Sequence, residues 1–391
     1  MHKLIKMAST RAESVGMSIE GLNNIDKLMQ KHTEAGDIQG GVTLVARQGK
    51  VVHFSTHGEM DVDKGRAMEP DAIFIMASSA KPVIAVAALM LVDEGLISLS
   101  DPVSKYIPEF AEVNKAVVEG HEDQDAGLLW FGAQVKKEHL EYHLEPVNAP
   151  ITIHQLLTHT SGYSFGGPEE SGGQKDDETL ADYVNRIALA PLHFQPGTRW
   201  GYGNVAIHSI TARIIEIASG SPFEEFMRER VFAPLQMNRS YFTVPSDKQS
   251  KRVMLQGFDV TKKNGKGLCS AAEDFLHFNQ MLLNGGELFG QRLLRPETVK
   301  MMSSNQVGDL YASVAKEGQK GLSGMGFGHA VAITMDPDTA GNHRGSGSFG
   351  WGGAGGTESW VDPEHELVVV RMLQQERGGN LAEVVEQALI A

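Results

Sequence analysis

Ser78-Ser79-Ala80-Lys81-Pro82 leads without a break into ten apolar residues, Val83 to Val92 (VIAVAALMLV). A helix that starts near Ser78 puts positions i and i+3 on one face, so Ser78 Oγ and the Lys81 amine become neighbours. Pro82 fits that first turn, where backbone N–H groups have no helical partner to lose. Burial beneath the apolar run disfavours the ammonium form. A neutral lysine can take the serine proton, and a helix N-terminus favours the negative charge that then develops. The spacing alone carries little weight, since a serine cap followed by a solvated lysine is spelled the same way. Ser313-Val-Ala-Lys316 repeats it, but Glu-Gly-Gln-Lys-Gly follows, and no buried helix is there to tune that lysine.

Two stretches farther along raise the standing of Ser78 and Lys81. Tyr202-Gly203-Asn204 follows Pro196-Gly-Thr-Arg-Trp200, a turn-rich approach suited to holding a tyrosine at a cleft edge. Beside a lysine, tyrosine is driven toward phenolate and serves as base or proton shuttle. Tyr183-Val184-Asn185 has the same spelling but lies inside an amphipathic helical pattern, where its tyrosine packs or faces solvent. Gly345 to Gly356 (GSGSFGWGGAGG) allows close backbone approach to a ligand. It lacks the Gly-Lys-Ser/Thr of a phosphate loop and opens no helix, so a strand-edge segment offering an N–H to an oxyanion is the better reading.

The two chain ends read as a sheet. Ser18 opens a helix with Leu22, Ile25, Leu28 and Met29 on one face, and Val42 to Arg47 and Lys50 to Ser55 read as strands joined at Gln48-Gly49. His329 to Thr334, Thr357 to Val361 and Leu367 to Leu373 are strand-like again, and Leu381 to Ile390 is an amphipathic helix. Turn-type links imply an antiparallel sheet completed by both termini, with the terminal helices packed on it. Leu180 to Leu189, His208 to Ala218 and Phe223 to Val231 are helical, and Ser270-Ala-Ala-Glu273 has the spacing of a capping box. The division expected is 18–100 with 245–391 as an α/β domain, and 101–244 as a mainly helical domain. The latter carries a polar, His-rich insertion at 111–150, and residues 1–17 form a lead-in outside both domains.

Composition removes whole classes of function. A net charge of −14 argues against a nucleic-acid binder, because phosphate neutralisation needs a basic face, and no nucleic-acid partner is expected. Cys269 is the single cysteine, which rules out an intrachain disulfide and any Cys₃ or Cys₄ metal site. Val83 to Val92 is about half of the roughly 20 residues that span a bilayer, and no signal-peptide core precedes it. A cytoplasmic location is the expectation.

Ser78/Lys81, Tyr202-Gly203-Asn204 and Trp351-Gly352-Gly353, in this order and at these separations, resemble the serine β-lactamase, D-alanyl-D-alanine carboxypeptidase and family VIII esterase group. The resemblance runs through most of the chain from Gly41. It includes Ile151-Thr-Ile-His-Gln-Leu-Leu-Thr-His-Thr-Ser-Gly162, Pro234-Leu-Gln-Met237 and Gly267-Leu-Cys-Ser-Ala-Ala-Glu-Asp274. It implies Ser78 as nucleophile, Lys81 as general base and Tyr202 as its partner in proton transfer. By the same match Asn204, Trp351, Gly352 and Gly353 contact substrate, and the backbone N–H groups of Ser78 and Ala354 form the oxyanion hole. The group's third motif is commonly Lys-Thr-Gly or His-Thr-Gly, whose cation helps bind a substrate carboxylate. Tryptophan cannot do this, and Trp-Gly-Gly looks like the family VIII variant.

The resemblance therefore implies an α/β (α+β) β-lactamase-like fold and a carboxylesterase, hydrolysing short to medium acyl esters through a Ser78 acyl-enzyme. It needs no metal and no organic cofactor. The alternatives are a β-lactamase or D-Ala-D-Ala peptidase, an acyltransferase on the same site, and an inactive binding or assembly protein on this scaffold. Leu128-Leu129-Trp130-Phe131 is an apolar island in a charged stretch. Trp130 and Phe131 are expected over the cleft, as a pocket wall or lid, or against a second subunit in a homo-oligomer. Two other signals are set aside. Gly162-Tyr-Ser164-Phe-Gly166 spells a nucleophile elbow, but no strand precedes it. His139 and His143 share a helical face with no third ligand indicated for zinc.

Overall fold

A computed structural model describes Met7 and residues 10–126, 141–164, 174–175, 177–254, 267–314, 322–375 and 378–390. An eight-stranded antiparallel sheet runs, from edge to edge, Met325–Phe327, Ala332–Thr334, Phe349–Gly353, Thr357–Asp362, Leu367–Leu373, Gly40–Arg47, Lys50–Asp61 and Arg66–Ala67. The two chain ends meet at its centre, where Leu44 stands opposite Val370 and Val45 opposite Val369. Gln48 and Gly49 both take positive φ (52° and 69°), the backbone of a tight hairpin turn that matches strand twist.

Alternation along the two central strands divides the core. Val45, Leu367, Val369 and Leu373 face the terminal helices Ile19–Glu34 and Leu381–Gln387, while Val42, Leu44, Val368 and Val370 face the rest of the molecule. Ser18 caps the first of these helices, accepting the Gly21 N–H at 3.1 Å. The terminal helices meet at Gly21, where a Cβ would lie 2.6 Å from Ala388 Cα.

Behind the opposite face lies Ala80–Asp93, a helix whose residues from Ala80 to Leu91 are all buried. Each of its fully buried valines, leucines and methionines contributes about 1.5–3 kcal/mol on burial, which offsets the cost of enclosing Lys81 with them. Ala272–Leu283 packs on the same face, and the helical run Ala206–Ser219 covers the buried helix from outside. One apolar cluster continues from the sheet through these helices.

Several local expectations are corrected. The strand expected over His329 to Thr334 is only Ala332–Thr334, because Ala330 turns the chain at φ 65°. The helix after Ser270 starts at Ala272, which puts Ala271 rather than Ser270 at the cap position, and the Ser270 hydroxyl lies 2.7 Å from that of Ser240. The insertion contains a hairpin, Asn114–Val118 with Tyr142–Pro146, that the sequence reading did not anticipate. His143 lies on its exposed outer strand rather than on a helix, and His139, Trp130 and Phe131 fall outside the described residues. Among the described residues no helix is long and apolar enough to cross a membrane.

Candidate active site

Ala77, immediately before the candidate nucleophile, holds φ at +46°, a conformation that costs a residue with a Cβ of the order of 1 kcal/mol or more. A single tight helical turn, Ala77–Ser79, then joins the buried helix. Ser79 is turned away from the cleft: its hydroxyl lies 3.0 Å from Thr357 Oγ1 and 3.3 Å from Thr357 O. Ser78 is left half-buried on a cavity of about 520 Å³, shared with Tyr202, Trp351, Gly352, Gly353 and Ala354.

Lys81 is fully buried, and its Nζ lies 3.1 Å from Ser78 Oγ, 2.8 Å from Tyr202 OH and 2.9 Å from Asn204 Oδ1. The four side chains come from two elements more than a hundred residues apart, the buried helix and the loop that precedes Ala206–Ser219. Gly201 keeps that loop close to its support, where a Cβ would lie 2.4 Å from the Phe194 ring and 3.0 Å from Ser164 Cβ. The Tyr202 ring packs 4.8 Å from His159, 5.5 Å from Trp351 and 5.9 Å from Trp200, centroid to centroid. Trp351 Nε1 also donates to Tyr202 OH at 3.3 Å. Gly353 closes the glycine segment against the nucleophile turn, and Ala354 follows it at the cavity rim.

Sequence reasoning missed several residues around this site. His159 holds φ at 56°, its carbonyl accepts the Gly201 N–H at 2.8 Å, and its ring is buried against Tyr202. Burial, then the nearby Lys81 charge, hold its imidazole well below the usual range, so it is neutral. His208 is held down by the same two causes. Thr158-His159-Thr160 was legible as a motif, but not as a wall of the tyrosine pocket. Arg371 and Glu358 line the outer cavity, paired at 2.7 Å, and Arg344 bonds the same carboxylate.

The competing signals sit elsewhere. Ser164 is buried, its Oγ 2.7 Å from His193 Nδ1 and 3.0 Å from Asp125 Oδ1, in a closed knot that does not line the cavity. Ser313 is exposed and donates to Leu310 O, while Lys316 lies outside the described residues. Tyr183 packs on its helix beneath the Arg186 guanidinium. Among the described residues no group of three or more His, Cys, Asp or Glu side chains is arranged to hold a metal ion.

An antiparallel sheet backed by a buried Ser-x-x-Lys helix, with a tyrosine brought to the lysine, defines a serine hydrolase of the β-lactamase-like fold. The chain belongs to the Beta-lactamase family, which it matches over residues 25–389. It is 32% identical over 372 residues to Protein Rv1367c of Mycobacterium tuberculosis, covering 87% of each chain. It is 28% identical over 369 residues to Esterase EstB of Burkholderia gladioli, covering 86% of each. The solved structure of EstCE1, a hydrolase with promiscuous acyltransferase activity, superimposes with a TM-score of 0.74 at 21% identity, over 95% of this chain and 99% of that one. The likeness to Esterase EstB supports esterase-like serine hydrolase activity, and EstCE1 shares the fold.

Proposed function

We propose that the protein is a carboxylesterase that hydrolyses short to medium acyl esters through an acyl-enzyme on Ser78. The support is one relationship: Lys81 Nζ, fully buried, lies within hydrogen-bond reach of Ser78 Oγ, Tyr202 OH and Asn204 Oδ1 at once. Ser78 Oγ attacks the ester carbonyl as its proton passes to the Lys81–Tyr202 pair. The oxyanion forms between the backbone N–H groups of Ser78 and Ala354. The alcohol departs with the proton returned by the pair, and water, activated by the same groups, frees the acid.

A p-nitrophenyl ester series from acetate to decanoate, run beside a chromogenic cephalosporin, tests this. Turnover should be highest on the shorter chains and fall along the series. Lys81→Ala and Tyr202→Phe should each lower kcat by about 10²–10⁴, the usual contribution of acid–base catalysis. A wild-type preference for the cephalosporin would overturn the ester assignment, as would a fully active Lys81→Ala.

A further inference from the structure

The phenolic oxygen of Tyr202 has two N–H donors aimed at it: Lys81 Nζ at 2.8 Å and Trp351 Nε1 at 3.3 Å. They reach it from different walls, the buried helix and the strand Phe349–Gly353. An indole N–H only donates, so the direction of the second bond is fixed by chemistry. Hydrogen bonds donated to an oxygen favour its charged form over its protonated one.

The arrangement is also selective. Both ring nitrogens of His159, and Nε1 of Trp200, are buried beside Tyr202 without a hydrogen-bond partner. Of these aromatic neighbours, Trp351 is the one that reaches the oxygen. Phe327 stands perpendicular to Trp351 at 5.4 Å and braces the indole.

We infer that Trp351 is a positioning residue for proton transfer: its N–H, together with Lys81, holds the Tyr202 oxygen as a proton acceptor. The inference rests on the proposed role of Ser78 as nucleophile and adds a second duty to a residue expected only to contact substrate. Were Trp351 simply an apolar wall, loss of its N–H would alter KM for apolar acyl groups and leave the pH profile in place.

Trp351→Phe removes the donor and keeps a ring, and replacement of Trp351 by β-(3-benzothienyl)alanine exchanges the N–H for sulfur at nearly constant shape. Trp351→His restores a ring N–H. Two readouts apply: the pH dependence of the rate at which a fluorophosphonate modifies Ser78, and that of kcat/KM for p-nitrophenyl butyrate. Both donor-free variants should move the acid limb upward by about half a unit to one unit, the weight of one hydrogen bond on a protonation equilibrium. Rates below the limb should then fall about 3- to 10-fold with KM nearly unchanged, and Trp351→His should recover part of the shift. An unmoved acid limb in the benzothienyl variant overturns the inference, even if Trp351→Phe fails to fold. Wild-type protein that is modified at Ser78 but hydrolyses no ester sinks the esterase reading alone, because the modification profile still decides the role of Trp351. Failure of the probe to modify Ser78 overturns both.

Discussion

Gly353 stands against the Met76 carbonyl so closely that a Cβ at 353 would lie 2.2 Å from that oxygen and 2.5 Å from Thr357 Oγ1. Backbone contact therefore sets the spacing between the sheet strand and the turn that presents Ser78, and with it the spacing of the two candidate oxyanion donors. Gly353→Ala should force these apart and lower kcat/KM on the order of 10², comparable with loss of one oxyanion donor. Gly352→Ala is the control, since its Cβ meets only Thr357 O at 3.4 Å, and its circular dichroism spectrum and Tm should match the parent. Equal activity of Gly353→Ala and the parent would show that the contact sets nothing.

Two serines separate nucleophilic from structural roles. Ser78→Ala should abolish ester hydrolysis with Tm retained. Ser164→Ala should keep most activity but lose stability, because the buried Asp125 and His193 lose a shared partner. The Ser164 N–H still donates to His193 Nδ1 at 3.1 Å, so about 1 kcal/mol, the net worth of a lost hydrogen bond, is expected from urea unfolding. Fluorophosphonate labelling that maps to the Ser164 peptide would reverse the two roles.

What the sequence disclosed follows from how far apart the interacting residues lie along it. Ser78 and Lys81 are three apart on one helix, so geometry joined them before any fold was known. The sheet was legible because Val42 to Arg47 and Leu367 to Leu373 each carry a compact β-branched run. The turn-rich approach marked Tyr202 as a cleft-edge candidate, but its contact with a lysine 121 positions earlier needed the resemblance. The Trp351–Tyr202 bond and the His159 wall were out of reach for the same reason. The hairpin strand Tyr142–Pro146 is exposed throughout, so it carries no apolar alternation to read. Ser270 spelled a capping box, but the cap position falls on Ala271, and Ser240, distant in sequence, engages the Ser270 hydroxyl.

Asp274 provides a test by pH. Burial pushes its carboxyl up to about 7, against the bonds donated by Ser240 Oγ and the Arg239 N–H. The folded state thus holds this proton more tightly than the unfolded chain does. The stability it contributes is present in full below about pH 4 and is lost as pH rises through 7. Asp274→Asn keeps an acceptor for both donors and cannot ionise. Its Tm should therefore decline less between pH 5 and 8 than that of the parent, and parallel curves would place the proton elsewhere.

Trp351 also bears on which acyl compounds the site accepts. A β-lactam or acyl-D-Ala-D-Ala substrate brings a carboxylate, and a lysine or histidine at this position would meet it. Arg371 lines the same cavity, but Glu358 at 2.7 Å and Gly379 O at 2.8 Å already hold its guanidinium. Lys81 is enclosed beneath Ser78. A charge-assisted bond in a partly desolvated cleft is worth about 1.5–3 kcal/mol, so its absence should cost about one to two orders of magnitude in β-lactam turnover. Neutral esters lose nothing by it, and the indole offers them apolar surface. Trp351→Lys supplies the cation and keeps an N–H donor within reach of Tyr202. The ratio of cephalosporin to p-nitrophenyl butyrate kcat/KM should then rise about 10-fold or more, with Ser78 still required for both. A ratio that stays put in a folded Trp351→Lys variant would mean that carboxylate recognition is set away from this position.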